Sequence, residues 1–357
     1  MNQPSETNEL AVQAFCRKIA QECSPAQLTA AVESLSTLKV LVVGDTIFDR
    51  YSSLKVQGLT SKNRIISGRF LSEETHCGGA LAVFRHVKQF TPHAKFLSLV
   101  GTEPWVDPLL RETVLPAEDL LIRDTAFTTI IKQRFVEPLS KGKELIKLFA
   151  VNFIDDHPPA SAVLAQVRAR LAAALSEVDV IVVADFGHGL LQADLRELLQ
   201  EASPFLALNC QTNSNNHGFN IITRQYRRAD AFSLDQQELM LSCGHRHIDY
   251  AAELDALRLT LAAEYAWLTR GAVETFGHHT GHASCCCPPL ASEVVDAVGA
   301  GDAFFSVAAL AAARRLPVSI GTFLGQLAGA QAVKIVGNAT PISRSALLQT
   351  GRSLLGG

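Results

Sequence analysis

From Leu38 onward, short apolar runs alternate with stretches rich in alanine and leucine. Val40 to Val43, Phe96 to Val100, Val178 to Val183, Phe205 to Leu208 and Ala266 to Leu268 are apolar without alternation, the pattern of strands covered on both faces. Strands interleaved with helical stretches predict an α/β fold with a mainly parallel central sheet between helix layers. Ahead of it, residues 1–37 carry Leu10, Val12, Phe15 and Ile19 at helix-like spacing and predict a mildly amphipathic helical extension to a main domain over residues 38–350. Two segments break the rhythm. Residues 52–71, and residues 127–154, where Thr128 to Val136 alternates and a turn is expected at Ser140 to Gly142, predict antiparallel excursions at about 50–72 and 126–154 that leave the main sheet as a small β lid.

Composition narrows the function classes. The 357 residues are 48% hydrophobic and 19% charged, with 32 basic against 35 acidic side chains, so no basic surplus points to nucleic acid. No apolar run approaches the roughly 20 residues of a membrane helix. The first ten residues lack the basic and then apolar sections of a signal peptide, and a cytoplasmic location is expected. The eight cysteines, Cys16, Cys23, Cys77, Cys210, Cys243, Cys285, Cys286 and Cys287, read as free thiols in a chain too large to need disulfides.

The most informative stretch is Asp296-Ala297-Val298-Gly299-Ala300-Gly301-Asp302-Ala303-Phe304-Phe305, which runs into a helical segment. Glycines at a helix start let backbone N–H groups converge on phosphate oxygens. A carboxylate at that spot would repel a bound phosphate, which makes Asp302 better suited to take a proton from an attacking hydroxyl. The alternative is an ordinary helix N-cap.

This stretch resembles the C-terminal signature of the PfkB, or ribokinase-like, sugar kinases, D-T-x-G-A-G-D, with alanine in place of threonine. Further matches fall in family order: Val42 to Tyr51, which is similar to the first strand of kinases acting on heptose 7-phosphate at C1; Gly78-Gly79-Ala80; Thr128 to Arg134; Asp185 to Leu190; and Thr269-Arg270-Gly271. The resemblance implies a ribokinase-like three-layer sandwich and an ATP-dependent kinase with a lid over its sugar. It implies Asp302 as catalytic base and Gly299, Ala300 and Gly301 as the anion hole. Asp45, Asp49, Gly78, Gly79 and Asp185 fall where the family contacts sugar, with Lys132 and Arg134 added from the lid, and Asn209, Thr269, Gly271, Gly299 and Gly301 fall at ATP. Asp235 and Glu238 stand for the Asn-x-x-Glu that organises Mg2+ through water, and the same pair reads equally as a helix capping box. Asp45, a short carboxylate at a strand end, suits two hydroxyl hydrogen bonds or a strand-end turn. A homodimer formed through the lids, and a separate nucleotidyltransferase acting on the product, are the implied partners.

Three positions depart from the heptose kinases: Ala82 for asparagine, His188 for lysine, and Asn209-Cys210-Gln211 for Asp-Pro-Lys. Lost lysines weaken recognition of a phosphate dianion, which Lys132 and Arg134, or Lys62 and Arg64, are left to supply. The acceptor is therefore expected to be a heptose or heptose 7-phosphate, with another sugar, sugar phosphate or nucleoside, or non-catalytic ligand binding, as alternatives. The amide-rich run from Asn209 to Asn216 reads as a loop for sugar or nucleotide, or as a solvated loop. His279-Thr280-Gly281-His282 mimics a nucleotidyltransferase motif but lies too close to the glycine turn for a second domain. His278, His279, His282 and Cys285 to Cys287 carry metal-ligand atoms, yet an extended strand would point neighbours to opposite faces. His245-Arg246-His247 is expected to be a solvated loop.

Overall fold

The computed structural model describes residues 6–111, 120–138, 145–155 and 157–356; the turn expected at Ser140 to Gly142 lies outside them. Helices α1 (Glu6–Glu22) and α2 (Pro25–Ser34) come first, the second opened by a capping box between Ser24 and Gln27. They are followed by β1 (Val40–Gly44), β2 (Thr46–Leu59), β3 (Ile66–Gly78), α3 (Gly79–Lys88), β4 (Ala94–Val100), α4 (Val106–Arg111), β5 (Leu121–Arg123), β6 (Ile130–Pro138) and β7 (Leu145–Phe153). The middle of the chain holds α5 (Ser161–Leu175), β8 (Val180–Asp185), α6 (Ala193–Ala202), β9 (Leu206–Cys210), α7 (Ile222–Gln225), β10 (Ala231–Asp235), α8 (Gln236–Cys243) and α9 (Tyr250–Thr260). Strands β11 (Tyr265–Thr269), β12 (Thr275–His279) and β13 (Cys285–Cys287) precede α10 (Ala300–Ala313), α11 (Val318–Ala332) and α12 (Arg344–Leu354).

The main sheet runs in the order β13-β12-β11-β10-β9-β8-β1-β4-β5, its pairings parallel except for β11 with β12 and β12 with β13. Its two faces explain the unbroken apolar runs. Val40 and Val42 of β1 enter a core shared with α3, α10 and α11, while Leu41 and Val43 enter a second core with α5, α6 and α9. Helix α10 is apolar almost all round and buried between the sheet and α11, as a helix of the inner layer must be. The N-terminal extension is built into the first core: Phe15, Ile19, Leu28 and Val32 are buried there, and the Phe15 ring lies 6.2 Å from that of Phe323.

The lid is a separate sheet in the order β3-β2-β6-β7. Each excursion is an antiparallel pair, as expected, and a parallel pairing of β2 with β6 joins them. Alternation gives the lid two chemically distinct faces. Asp49 and Tyr51 are opposite Lys132 and Arg134 on one face, and Phe135, Phe149, Val151 and Phe153 fall on the other.

Candidate active site

Strands β1, β8, β9, β10 and β11 end at one rim, where crossovers of a parallel sheet leave a crevice. The glycine turn before α10 closes this rim from one side. The N-cap of α10 is Gly299, at φ +82°, and not Asp302. A side chain at 299 would run into the Asn338 amide, so this turn requires glycine. The N-cap reading of Asp302 is thereby corrected: Asp302 stands three residues into the first turn.

Asp302 is 9% exposed and faces a cavity of about 510 Å³ lined by Asn209, Asp235, Glu238, Thr269, Gly271, Gly299, Ala300 and Gly301 among others. Its Oδ1 accepts from Gln211 Nε2 at 2.7 Å, and among the described residues no donor reaches Oδ2. Burial pushes the carboxyl up to about 6, with the Gln211 bond opposing, Asp49 adding to the rise and Lys132 opposing. Gln211 also donates to Asn209 Oδ1 at 2.7 Å, and Asn209 Nδ2 donates to the Ser233 carbonyl at 2.8 Å. The amide-rich run is therefore structural as well as cavity-lining. Asn213 and Asn216 donate to the Phe186 carbonyl at 2.8 and 2.6 Å.

On the other side of Asp302 lie the predicted acceptor residues. Asp45 is 2% exposed, and its Oδ2 accepts from the backbone N–H of Phe186 and His188 at 3.2 and 3.3 Å. Burial, then the charge of Asp185, raises its carboxyl to about 7. Asp49 is buried and ion-paired with Arg134 across the lid. Gly79, at φ +56°, starts α3 so closely against the Asp45 carbonyl that a Cβ would sit 2.6 Å from it, and Gly78 pairs with Ile47 at the end of β3. Lys132 points inward, its ammonium 5.6 Å from the Phe186 ring centre. Burial lowers its pKa, while Asp49, Asp45 and Asp302 pull the other way.

Asp185, expected to touch sugar, does not line that cavity, and neither do Asp45 and Asp49; what sets Asp185 apart is how fully its carboxylate is bonded. Its wholly buried carboxylate accepts from the Gly187 N–H at 2.9 Å, Asn220 Nδ2 at 3.3 Å, Arg196 Nε at 2.9 Å and Tyr226 Oη at 2.7 Å. Four donors satisfy both oxygens, so Asp185 anchors the 186–190 loop instead. His188 is buried beside it, held neutral at about 3 by burial and then by Lys132, with no partner for Nε2 among the described residues. Ala82 is core, and Lys62 and Arg64 are exposed at the far end of the β2–β3 hairpin.

Asp235 and Glu238 form the capping box of α8, and both line the cavity. Glu238 accepts from the N–H groups of Asp235 at 2.8 Å and Thr212 at 3.2 Å, and burial, then Asp235, pushes its carboxyl upward. These hard oxygen donors fit magnesium held through retained water; among the described residues no cluster of three or more ligand side chains fits direct coordination. Thr269 and Gly271 sit where this cavity meets an open cleft of about 680 Å³ beside α8. The histidine and cysteine segment is two strands: Cys285 and Cys287 are buried, Cys286 is exposed, and His279 stacks between Tyr265 and His282. No helix among the described residues is long and apolar enough to cross a membrane.

No family model matches the chain. It is 27% identical over 335 residues to the bifunctional protein HldE of Acidiphilium cryptum, covering 87% of this chain and 63% of that protein. It is 26% identical over 297 residues to the D-beta-D-heptose 7-phosphate kinase of Bordetella bronchiseptica, covering 81% and 88%. The chain thus spans less than two thirds of the bifunctional relative's length. Its fold matches Escherichia coli phosphofructokinase-2 with a TM-score of 0.67 at 12% identity, over 90% of this chain and all of that one. Arabidopsis thaliana ribokinase with ribose and ATP gives a TM-score of 0.62 at 16% identity, over 89% and 98%. Along most of its sequence the chain is thus similar to heptose 7-phosphate kinases, and its fold is that shared by phosphofructokinase-2 and ribokinase.

Proposed function

We propose that the protein transfers the γ-phosphoryl group of ATP to a sugar hydroxyl, the acceptor being a heptose or heptose 7-phosphate phosphorylated at C1. The observation that carries this reading is Asp302, a buried carboxyl raised to about 6, placed between a nucleotide-sized cavity with a glycine turn and a pair of buried aspartates under a lid. The apolar wall of Val294, Ala330 and Val333 suits a base, and the N–H groups of Gly299 to Gly301 suit phosphate oxygens. Asp45 and Asp49 suit acceptor hydroxyls. Asp302 takes the proton of the attacking hydroxyl as the phosphoryl group moves across. Lys132, among three carboxylates, offsets negative charge at that point. Asp235 and Glu238 would hold magnesium through water, where it would neutralise charge on the phosphates. The lid covers the acceptor and excludes water that would compete with it.

The names of the relatives support the acceptor class, and the shared fold supports the kinase architecture. The apolar outer face of the lid, with Phe70, Phe149, Val151 and Phe153 between 41% and 61% exposed, supports a homodimer through the lids. The test is ADP release from MgATP over heptose 7-phosphates, free heptoses, hexoses, pentoses and nucleosides. Turnover on a heptose or its 7-phosphate is the expected result. Silence across the panel despite ATP binding would overturn the reading.

A further inference from the structure

Asp296, which begins the glycine stretch, carries a wholly buried carboxylate that four donors approach from different parts of the chain. Its Oδ2 accepts from Tyr51 Oη at 2.8 Å and from the Gly337 N–H at 3.1 Å. Its Oδ1 accepts from Lys147 Nζ at 2.9 Å and from the Val298 N–H at 3.1 Å. Tyr51 lies on β2 and Lys147 on β7, so both hairpins of the lid end on one carboxylate. Val298 lies in the glycine turn itself. Gly337 precedes Asn338, whose amide packs against Gly299 and whose carbonyl accepts from Arg85 at 2.8 Å. Burial would raise the Asp296 carboxyl, but Lys147, Tyr51 and the Val298 N–H outweigh it and hold it below the usual range.

The two lid contacts differ in kind. Tyr51 is 4% exposed and wedged beside His76 over Gly337, a fixed part of the packing. The Lys147 side chain is 46% exposed on the lid's edge strand and is the one partner that can leave without opening the core. Its departure would strip a buried carboxylate of its ion-pair partner next to the N–H groups that face phosphate. Buried charge is tolerated only when paired, so the turn would adjust.

Building on the kinase reading, we propose that Lys147 and Tyr51 with Asp296 form a latch through which the position of the lid sets the shape of the phosphate-binding turn, Lys147 being a positioning residue. The lid then acts on the nucleotide side of the site as well as over the acceptor.

The test compares wild type, Lys147→Ala, Asp296→Asn and the double variant by steady-state kinetics, with thermal melts as a folding control. Lys147→Ala should remain folded with a modestly lowered melt, the lysine of the pair being half-exposed, and lose about tenfold in kcat/KM for ATP, within the coupling range of contacting groups. Adding n-propylammonium, which replaces the missing ammonium, should restore much of that loss. In the Asp296→Asn background the same change should cost nothing further. Wild-type kcat/KM in Lys147→Ala would overturn the latch, as would full additivity with Asp296→Asn. Should Asp296→Asn fail to fold, amine rescue of Lys147→Ala decides alone: a saturable return of rate supports the latch and none overturns it. A wild type silent on every acceptor counts against the kinase reading; the latch is then judged from ATP affinity by calorimetry, expected to be about tenfold weaker in Lys147→Ala and unchanged if the latch is wrong.

Discussion

At the scale of single residues, Asp302 and Gln211 make the sharpest pair. As the proposed base, Asp302 must be deprotonated to act, so its carboxyl, raised to about 6, should make activity fall as the pH drops through that value, higher than for an ordinary aspartate. Gln211 donates to the charged form and lowers the pKa. Gln211→Leu should therefore move the acid limb of the pH–rate profile upward, and a limb that stays put or moves down would contradict the assignment. Asp302 and its glycines are legible in the sequence because the turn is contiguous and each residue type has a physical reason to be there. The role of Gln211 is not, since its two partners sit on different elements. Asp185 departs from expectation for a related reason: its environment depends on Arg196 and Tyr226, 11 and 41 residues further along.

Among elements, the loop between β8 and α6 depends on that same carboxylate. Arg196 reaches back from α6 to pair with Asp185, with side-chain exposures of 12% and 0%. Removing one partner of a buried pair costs about 3–5 kcal/mol. Arg196→Leu should show a loss of this size in denaturant unfolding, and a loss below roughly 1 kcal/mol would mean that Tyr226 and the loop N–H satisfy Asp185 unaided. The buried parallel strands are legible because a short unbroken apolar run between turn residues must be covered on both faces, although β8 begins at Val180 where the run suggested Val178. Strand β10, with Ser233 in its middle, and the three-residue β5 give too short a signal. The lid hairpins are legible from alternation. The parallel pairing between them is not, because it joins segments more than 80 residues apart.

For the whole molecule, the sheet order is the least legible property. Local pattern supplies strands, but which strand neighbours which depends on crossovers that only the packed helices decide. The lid's outer face bears on a larger assembly. Burying Phe70, Phe149, Val151 and Phe153 against a second copy would remove four exposed apolar side chains from water. Sedimentation should give twice the chain mass for wild type and a shift toward the single chain for Phe149→Glu; a wild type that sediments as one chain would exclude the lid-to-lid dimer at the concentrations measured.

The proposed kinase chemistry rests above all on Asp302 being the base of a phosphoryl transfer. The most direct test is the rate of phosphorylated-sugar formation by Asp302→Asn under saturating MgATP, on the best acceptor of the wild type, with ATP affinity measured in parallel. A base at this position predicts a fall of roughly 10²- to 10⁴-fold in that rate with ATP affinity little changed. Transfer at the wild-type rate by Asp302→Asn would contradict it.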